Sequence, residues 1–315
     1  MKQFLLTLLA LSTFQIVLAN GTKVGGINYI FDSSTQTACV TYTGTVLNSG
    51  TSIYYRTSYS GAVIIPSSVT FNGVTYDVTS IDTHTFYNCT GLTSITIPQS
   101  ITSIGSYAFE KCRGLEKVIV QDMNSWCNIS FTDSDANPLK YAQHLYNSDN
   151  MEIIDIVIPE GVKGIKSYAF YGGTSFQSVI IPRSVNSIDS YSFSGCTGLT
   201  SIEISNDVTV IGNSAFSGCK SLISAEIPNS VKEIGNSAFE GCSRLNSVKI
   251  SNSVTSIGAS AFKECVNLTS VHIPNGVTSI GESAFAYCAN LTSANIPEGM
   301  TSISDLTFQQ CNNNR

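Results

Sequence analysis

Residues 185–207 read VNSIDSYSFSGCTGLTSIEISND, and the chain then repeats that phrase four more times at a fixed interval of 23 residues. Residues 208–230 are VTVIGNSAFSGCKSLISAEIPNS, 231–253 VKEIGNSAFEGCSRLNSVKISNS, 254–276 VTSIGASAFKECVNLTSVHIPNG and 277–299 VTSIGESAFAYCANLTSANIPEG. A constant period between about 20 and 50 residues marks a solenoid. One such unit cannot bury its apolar face alone, so neighbours stack and share one continuous core.

Working outward from these five, units of the same kind begin at Val78, Ile101, Val162, Val185, Val208, Val231, Val254, Val277 and Met300, the last cut short. Position 4 of the unit is Ile in every copy, from Ile81 to Ile303, and position 9 is Phe in every copy, from Phe86 to Phe308. Position 15 is Leu, or Phe176 in one copy. Position 18 is Ile, Val or Ala, and position 20 Ile or Val. No single helix or strand has apolar spacing of that kind, whereas a coil that turns corners and keeps one inward stripe does. The phrase LTSVxIP suits a strand with positions 18 and 20 inward and 17 and 19 outward. VTSIG suits a second extended piece, bent at the small residue of position 5, and SAFxxC one helical turn. The expected fold is therefore a strand-rich α/β solenoid.

The flanks read differently. Residues 1–19 (MKQFLLTLLALSTFQIVLA) have the charged start, apolar centre and small-residue end of a secretory signal. No Cys follows to carry a lipid, and no later stretch is apolar enough to span a bilayer. Residues 20–77 hold short alternating runs, INYIF, ACVTYTG and SIYYRTSY, then SVTF-NG-VTYDV, where Asn72-Gly73 suits a two-residue hairpin turn. This segment is expected to cap the first repeat as a small antiparallel unit. Units 1–2 then occupy 78–123 and units 3–9 occupy 162–315. Between them, residues 124–161 form one enlarged unit, with a helix expected over PLKYAQHLY on its outer side.

Charged residues make up 12% of the chain, about half the usual fraction of roughly 25%, and the net charge is -6. With no basic run, nucleic acid is excluded as a partner, and an apolar share of 42% excludes disorder.

The phrases LxxVxI, AFxxC and IGxxAF, with Pro after the strand, resemble the BspA-like class of leucine-rich repeat over residues 60–315. WCNISF and NPLKYA in the enlarged unit look like phrases that recur in that class. The usual Asn-ladder position is missing. The resemblance implies a leucine-rich-repeat superhelix in a secreted or surface protein of bacteria or mucosal protists. Some members are adhesins for extracellular-matrix proteins or other cells. It therefore implies a binding role, and it carries no ligand-contact residue across.

Ten cysteines in an exported chain invite a disulfide reading. Yet Cys89, Cys112, Cys196, Cys219, Cys242, Cys265, Cys288 and Cys311 share one apolar slot, position 12, which Gly173 fills in another copy. Stacked neighbours hold their β-carbons farther apart than a disulfide prefers, so a ladder of buried free thiols is expected. Cys39 and Cys127 lie off it and stay open. His84, His144 and His272 stand in distant units, so neither a metal nor another cofactor is expected. Cys127 with His144 is the one conceivable nucleophile–base pair, and packing is the simpler reading of a Cys beside Trp126 and Ile129. Asn88, Asn128, Asn267 and Asn290 begin N-x-S/T sequons, which count only in a host that glycosylates.

Function should lie where the copies differ. The outward strand position, 19, reads Thr96, Ile119, Val157, Ile180, Glu203, Glu226, Lys249, His272 and Asn295. Its apolar run is either an exposed partner surface or a strip hidden by the cap or the enlarged unit. The expected role is extracellular binding or adhesion to matrix proteins or other cell surfaces along this row. A displayed surface protein with no ligand site is the rival, and an enzyme comes third. The ninth unit stops before its strand, leaving the layer around Ala294 and Ile296 as a candidate for self-association.

Overall fold

The computed structural model describes residues 21–43, 46–48, 53–55, 58–300 and 302–311; the signal reading at 1–19 falls outside them. The chain winds as a coil whose successive turns stack in register, with two strand walls and a third wall of turns. Positions 17–20 form the first wall. Gly61–Ile64, Leu92–Ile97, Lys117–Val120 and Leu145–Tyr146 make a parallel sheet, and Asp155–Val157, Ser178–Ile181 and Ser201–Ile204 make the next. Ser224–Ile227 then pairs with Ser247–Ile250, and Ser270–His272 with Ser293–Asn295. Positions 3–4 form the second wall as two-residue strands, unbroken through six coils from Gly164–Ile165 to Ser279–Ile280. Between the walls lie the residues that the repeat marks as apolar, nearly all buried.

The third wall departs from expectation, because the SAFxxC block forms no helical turn. In the unit from Val231, Ala238 N–H donates to Gly235 O (3.3 Å), Glu240 to Ser237 O (3.1 Å) and Cys242 to Phe239 O (3.2 Å), closing a chain of tight turns. The intervening N–H groups of Ser237, Phe239 and Gly241 donate instead to Ala259, Ala261 and Lys263 in the next coil, each at 2.8 Å. A helix would spend every N–H inside its own coil. Stacking needs every other one to point outward, and the chain achieves this by placing positions 7 and 11 at positive φ, as in Ser237 (53°) and Gly241 (72°).

The rings of position 9 stack along this wall with centroids 5.0–5.5 Å apart from Phe170 to Phe308. At position 12 Cys112 and Cys196 to Cys288 are buried and Cys311 is half-buried; these thiols form no disulfide, as expected, and they also donate. Each Sγ from Cys112 and Cys196 to Cys311 points at the Phe carbonyl of the preceding coil, 3.0–3.3 Å away. Where Gly173 replaces the thiol, a β-carbon would lie 2.1 Å from the Phe176 ring, so the larger residue at position 15 has taken the space. Position 5 is glycine in five of the nine units, and in the run from Gly212 to Gly281 close stacking is the reason. A β-carbon on Gly235 would sit 2.6 Å from the Gly212 carbonyl carbon, because adjacent coils touch there. An amide ladder does occur, at position 6, where Asn213 Oδ1 accepts from Asn236 N–H and Asn236 Oδ1 from Ala259 N–H, both at 2.8 Å.

At the N-terminal end, Ser68–Phe71 and Val74–Ile81 form the hairpin that Asn72-Gly73 suggested, with φ of 50° and 78° in the turn. The strands Thr22–Val24, Ile27–Asp32 and Thr37–Thr41 are antiparallel to one another and continue its sheet, but Thr37–Thr41 joins Val74–Ile81 in parallel, so the segment is not the wholly antiparallel unit expected. The Tyr59 ring tops the Phe column, 4.8 Å from Phe86.

The enlarged unit makes a full turn of its own. Phe131 takes the Ile place beside Ile104, and Leu145-Tyr146 align with Val118-Ile119. Helix α1 (Met123–Asn128) buries Trp126 and Cys127. Helix α2 is shorter than PLKYAQHLY, covering Leu139–Ala142, and is not applied to the outside: Leu139 and Ala142 are buried. A four-residue helix with apolar residues at i and i+3 presents one face to the core, which puts α2 in the wall where other units run AFxxC. A hairpin then returns the chain, with Ile153 N–H on Leu145 O at 2.8 Å and Asn147 N–H on Met151 O at 3.0 Å, before the strand Asp155–Val157.

Candidate interaction face

In the first wall, pleating turns position 19 outward and parallel pairing sets successive copies side by side. Thr96 neighbours Ile119, Val157 neighbours Ile180, and Ile180 neighbours Glu203. Glu226 neighbours Lys249, and His272 neighbours Asn295. Pairing adds two residues that the repeat count passed over. Ile64 precedes Thr96 and Tyr146 follows Ile119. The first could have been found, since VIIP at 63–66 copies the IVIP and VIIP that end later units. Tyr146 sits in a segment too irregular to count.

The cap and the enlarged unit do not cover the apolar run. Val157 is 61% exposed, Ile180 43% and Ile64 67%, while Ile119 and Tyr146 are half-buried. Lys117 Nζ lies 4.4 Å above the Tyr146 ring and bonds to Asn150 Oδ1 at 2.9 Å, tying the wall to the hairpin tip. Farther along, Glu226 forms an ion pair with Lys249. Glu203 is exposed and has no cation partner among the described residues. Asn295 differs from the others in the row. Its Oδ1 accepts from Ile273 N–H (2.8 Å) and its Nδ2 donates to Ile273 O (2.9 Å), so its amide is folded onto the neighbouring strand.

The histidines stand apart. His84 packs on the rings of Tyr87 and Tyr107, His144 Nδ1 lies 2.6 Å from Glu152 Oε1, and His272 is exposed on the strand wall. No contact joins Cys127 to His144: the thiol is buried in α1, and burial pushes its pKa up to about 12. At neutral pH it is protonated and a poor nucleophile. Cys39 is half-buried with its thiol pushed up to about 11 by burial. At the far end Ile296 and Ile303 are exposed and line a 310 Å³ hollow with Ala294 and Phe308 among others, and Leu306 is exposed as well.

Stacked coils carrying LxxVxI strands on one wall define a leucine-rich-repeat solenoid. A family description, BspA type leucine rich repeat region, matches residues 68–143, 141–242 and 209–315 as six copies, and the chain belongs to that family. No curated protein matches. Among solved structures, a leucine rich cell surface protein of Faecalibacterium prausnitzii is 25% identical over 92% of both chains, with a TM-score of 0.44. A leucine-rich repeat protein of Bacteroides ovatus is 24% identical over 93% of both, with a TM-score of 0.34. Another from Eubacterium ventriosum is 21% identical over 91% of this chain and 74% of its own, with a TM-score of 0.48. Among the described residues no helix is long and apolar enough to cross a membrane.

Proposed function

We propose that the chain is an exported or cell-surface binding protein that engages extracellular-matrix or other cell-surface proteins along this strand wall. The supporting observation is Val157 beside Ile180, two large apolar side chains held in register and exposed on a rigid sheet. In most coils the wall is kept wet by Ser, Thr and charged residues, so apolar side chains here serve no packing need of the coil and suit a partner's surface. Export is supported by the make-up of residues 1–19. Self-association at the end bearing Ile296, Ile303 and Leu306 is a separate proposal, which sedimentation of the purified protein tests.

The test of the main reading is a binding assay of the whole protein against immobilised fibronectin, laminin, collagen and fibrinogen. Replacing both Val157 and Ile180 by Ser removes apolar surface without touching the core. Binding should fall at least about tenfold, since two exposed aliphatic contacts at roughly 1 kcal/mol each suffice for that. Binding that ignores the double substitution would assign the work to another face, and binding to none of the four would favour mere display.

A further inference from the structure

We infer that the partner on this wall presents an apolar side chain next to a basic one, the basic group lodging between Glu203 and Glu226. The inference rests on the binding role proposed above. Along the row the order is apolar (Val157, Ile180), acidic (Glu203, Glu226), then basic (Lys249). Lys249 satisfies Glu226 from one side only. Glu203 has no cation partner, so the site keeps an uncompensated negative charge. Arg183 and Lys220, which belong to the coils of Ile180 and Glu226, form no ion pair with either carboxylate among the described residues. The outward residues flanking this row at position 17, Ser178, Ser201, Ser224 and Ser247, are neutral.

The strand pairing is also interrupted at this place. Ser201–Ile204 pairs with the preceding strand and Ser224–Ile227 with the following one, but not with each other. What links those two coils at the wall's rim is Ile223 N–H on Thr200 O at 3.1 Å. The carboxylates thus flank a seam in the sheet, where a cation can approach both. With coils about 4.8 Å apart, the midpoint between Glu203 and Glu226 is about 7 Å from Ile180, close to the spacing of alternate side chains on an extended strand. An apolar and a basic residue two apart on an extended polypeptide would seat on Ile180 and the carboxylates together. An acidic partner would meet Glu203 unpaired and be repelled.

The experiment extends the same assay, with the same four immobilised proteins, to Glu203→Gln and Lys249→Gln at about 50 mM and 300 mM salt. Glu203→Gln should weaken binding roughly two- to fivefold, the range of an exposed ion pair. Lys249→Gln should tighten it by a similar factor, because it frees Glu226 for the partner. Salt should weaken the wild type more than Glu203→Gln. Binding that falls with the Val157 and Ile180 substitutions yet ignores both charge changes would overturn this inference and leave the proposed function standing. Opposite signs, tighter for Glu203→Gln and weaker for Lys249→Gln, would mean an acidic partner and overturn it too. Indifference to the apolar substitutions, or no binding at all, overturns both.

Discussion

A thiol that fills a small apolar slot and a thiol that donates to the coil below differ in what their loss costs. Cys242 does both, with Sγ 3.2 Å from Phe216 O. Burial pushes this thiol up to about 12, and Cys288 as far, while unfolded thiols ionise near about 8.5. Below that lower value both states hold the proton and nothing changes. As pH rises between the two values only the unfolded chain loses it, so stability falls, by about 1 kcal/mol per pH unit for each such thiol. Denaturant unfolding at about pH 8 and pH 10 should therefore show a steep loss of stability, and Cys242→Ala should reduce its slope. A slope unchanged by that substitution would mean the thiol is not the titrating group. Gly173 and Phe176 give the complementary case. Gly173→Cys alone places a β-carbon inside the Phe176 ring and should cost more than about 3 kcal/mol, whereas Gly173→Cys with Phe176→Leu restores the common pairing and should cost under about 1. Equal losses in single and double variants would refute the exchange.

Within one coil, the competing demands on the backbone decide what its sequence could reveal. Strands were legible because LTSVxI alternates, and so was the turn at Asn72-Gly73. The tight turns of the third wall were not, because SAFxxC has helix-compatible residues and the N–H groups that break the helix answer to the next coil. The row at position 19 was legible from periodicity alone, since side-chain direction in a strand follows from the pleat. Its exposure was not, because that depends on where the irregular enlarged unit lies. Nor was the inward fold of Asn295, which depends on an open neighbour backbone. Two substitutions test the third wall by thermal unfolding. Gly235→Ala should destabilise by about 2–3 kcal/mol, as its β-carbon meets the backbone of the coil below at 2.6 Å. Glu264→Gly should do the reverse, by about 0.5–1 kcal/mol. Its φ of 61° strains any β-carbon, and its 3.8 Å contact with Lys263 is exposed and weak. A stabilising Gly235→Ala would contradict the close stacking.

Across the whole molecule, stability in a stacked array is a sum over coils and the contacts between neighbours, so a weak joint divides it. The Phe column runs from Phe86 to Phe109 and resumes only at Phe170. The two-residue ladder likewise ends at Ser130–Phe131 and restarts at Gly164–Ile165. At this joint the ladder gives way to one backbone bond, Lys166 N–H on Cys127 O at 3.1 Å, and side chains add to it. Trp126 Nε1 donates to Ala169 O at 2.9 Å, and Asn137 Nδ2 donates to Tyr168 O at 2.6 Å and Ala169 O at 3.1 Å. Both donors are buried, so losing them leaves carbonyls unsatisfied at roughly 1–3 kcal/mol each. In the wild type, hydrogen exchange through a denaturant series should open residues 78–120 and 164–285 together. With Trp126→Phe and Asn137→Ala combined, the ring packing on Phe131 survives but the donors do not, and the two stretches should open at separate denaturant concentrations. If they still open together, the backbone bond from Lys166 to Cys127, the pairing of Asp155–Val157 with Ser178–Ile181 and apolar contact suffice to couple the coils, and the buried polar side chains serve only to fix the enlarged unit's conformation.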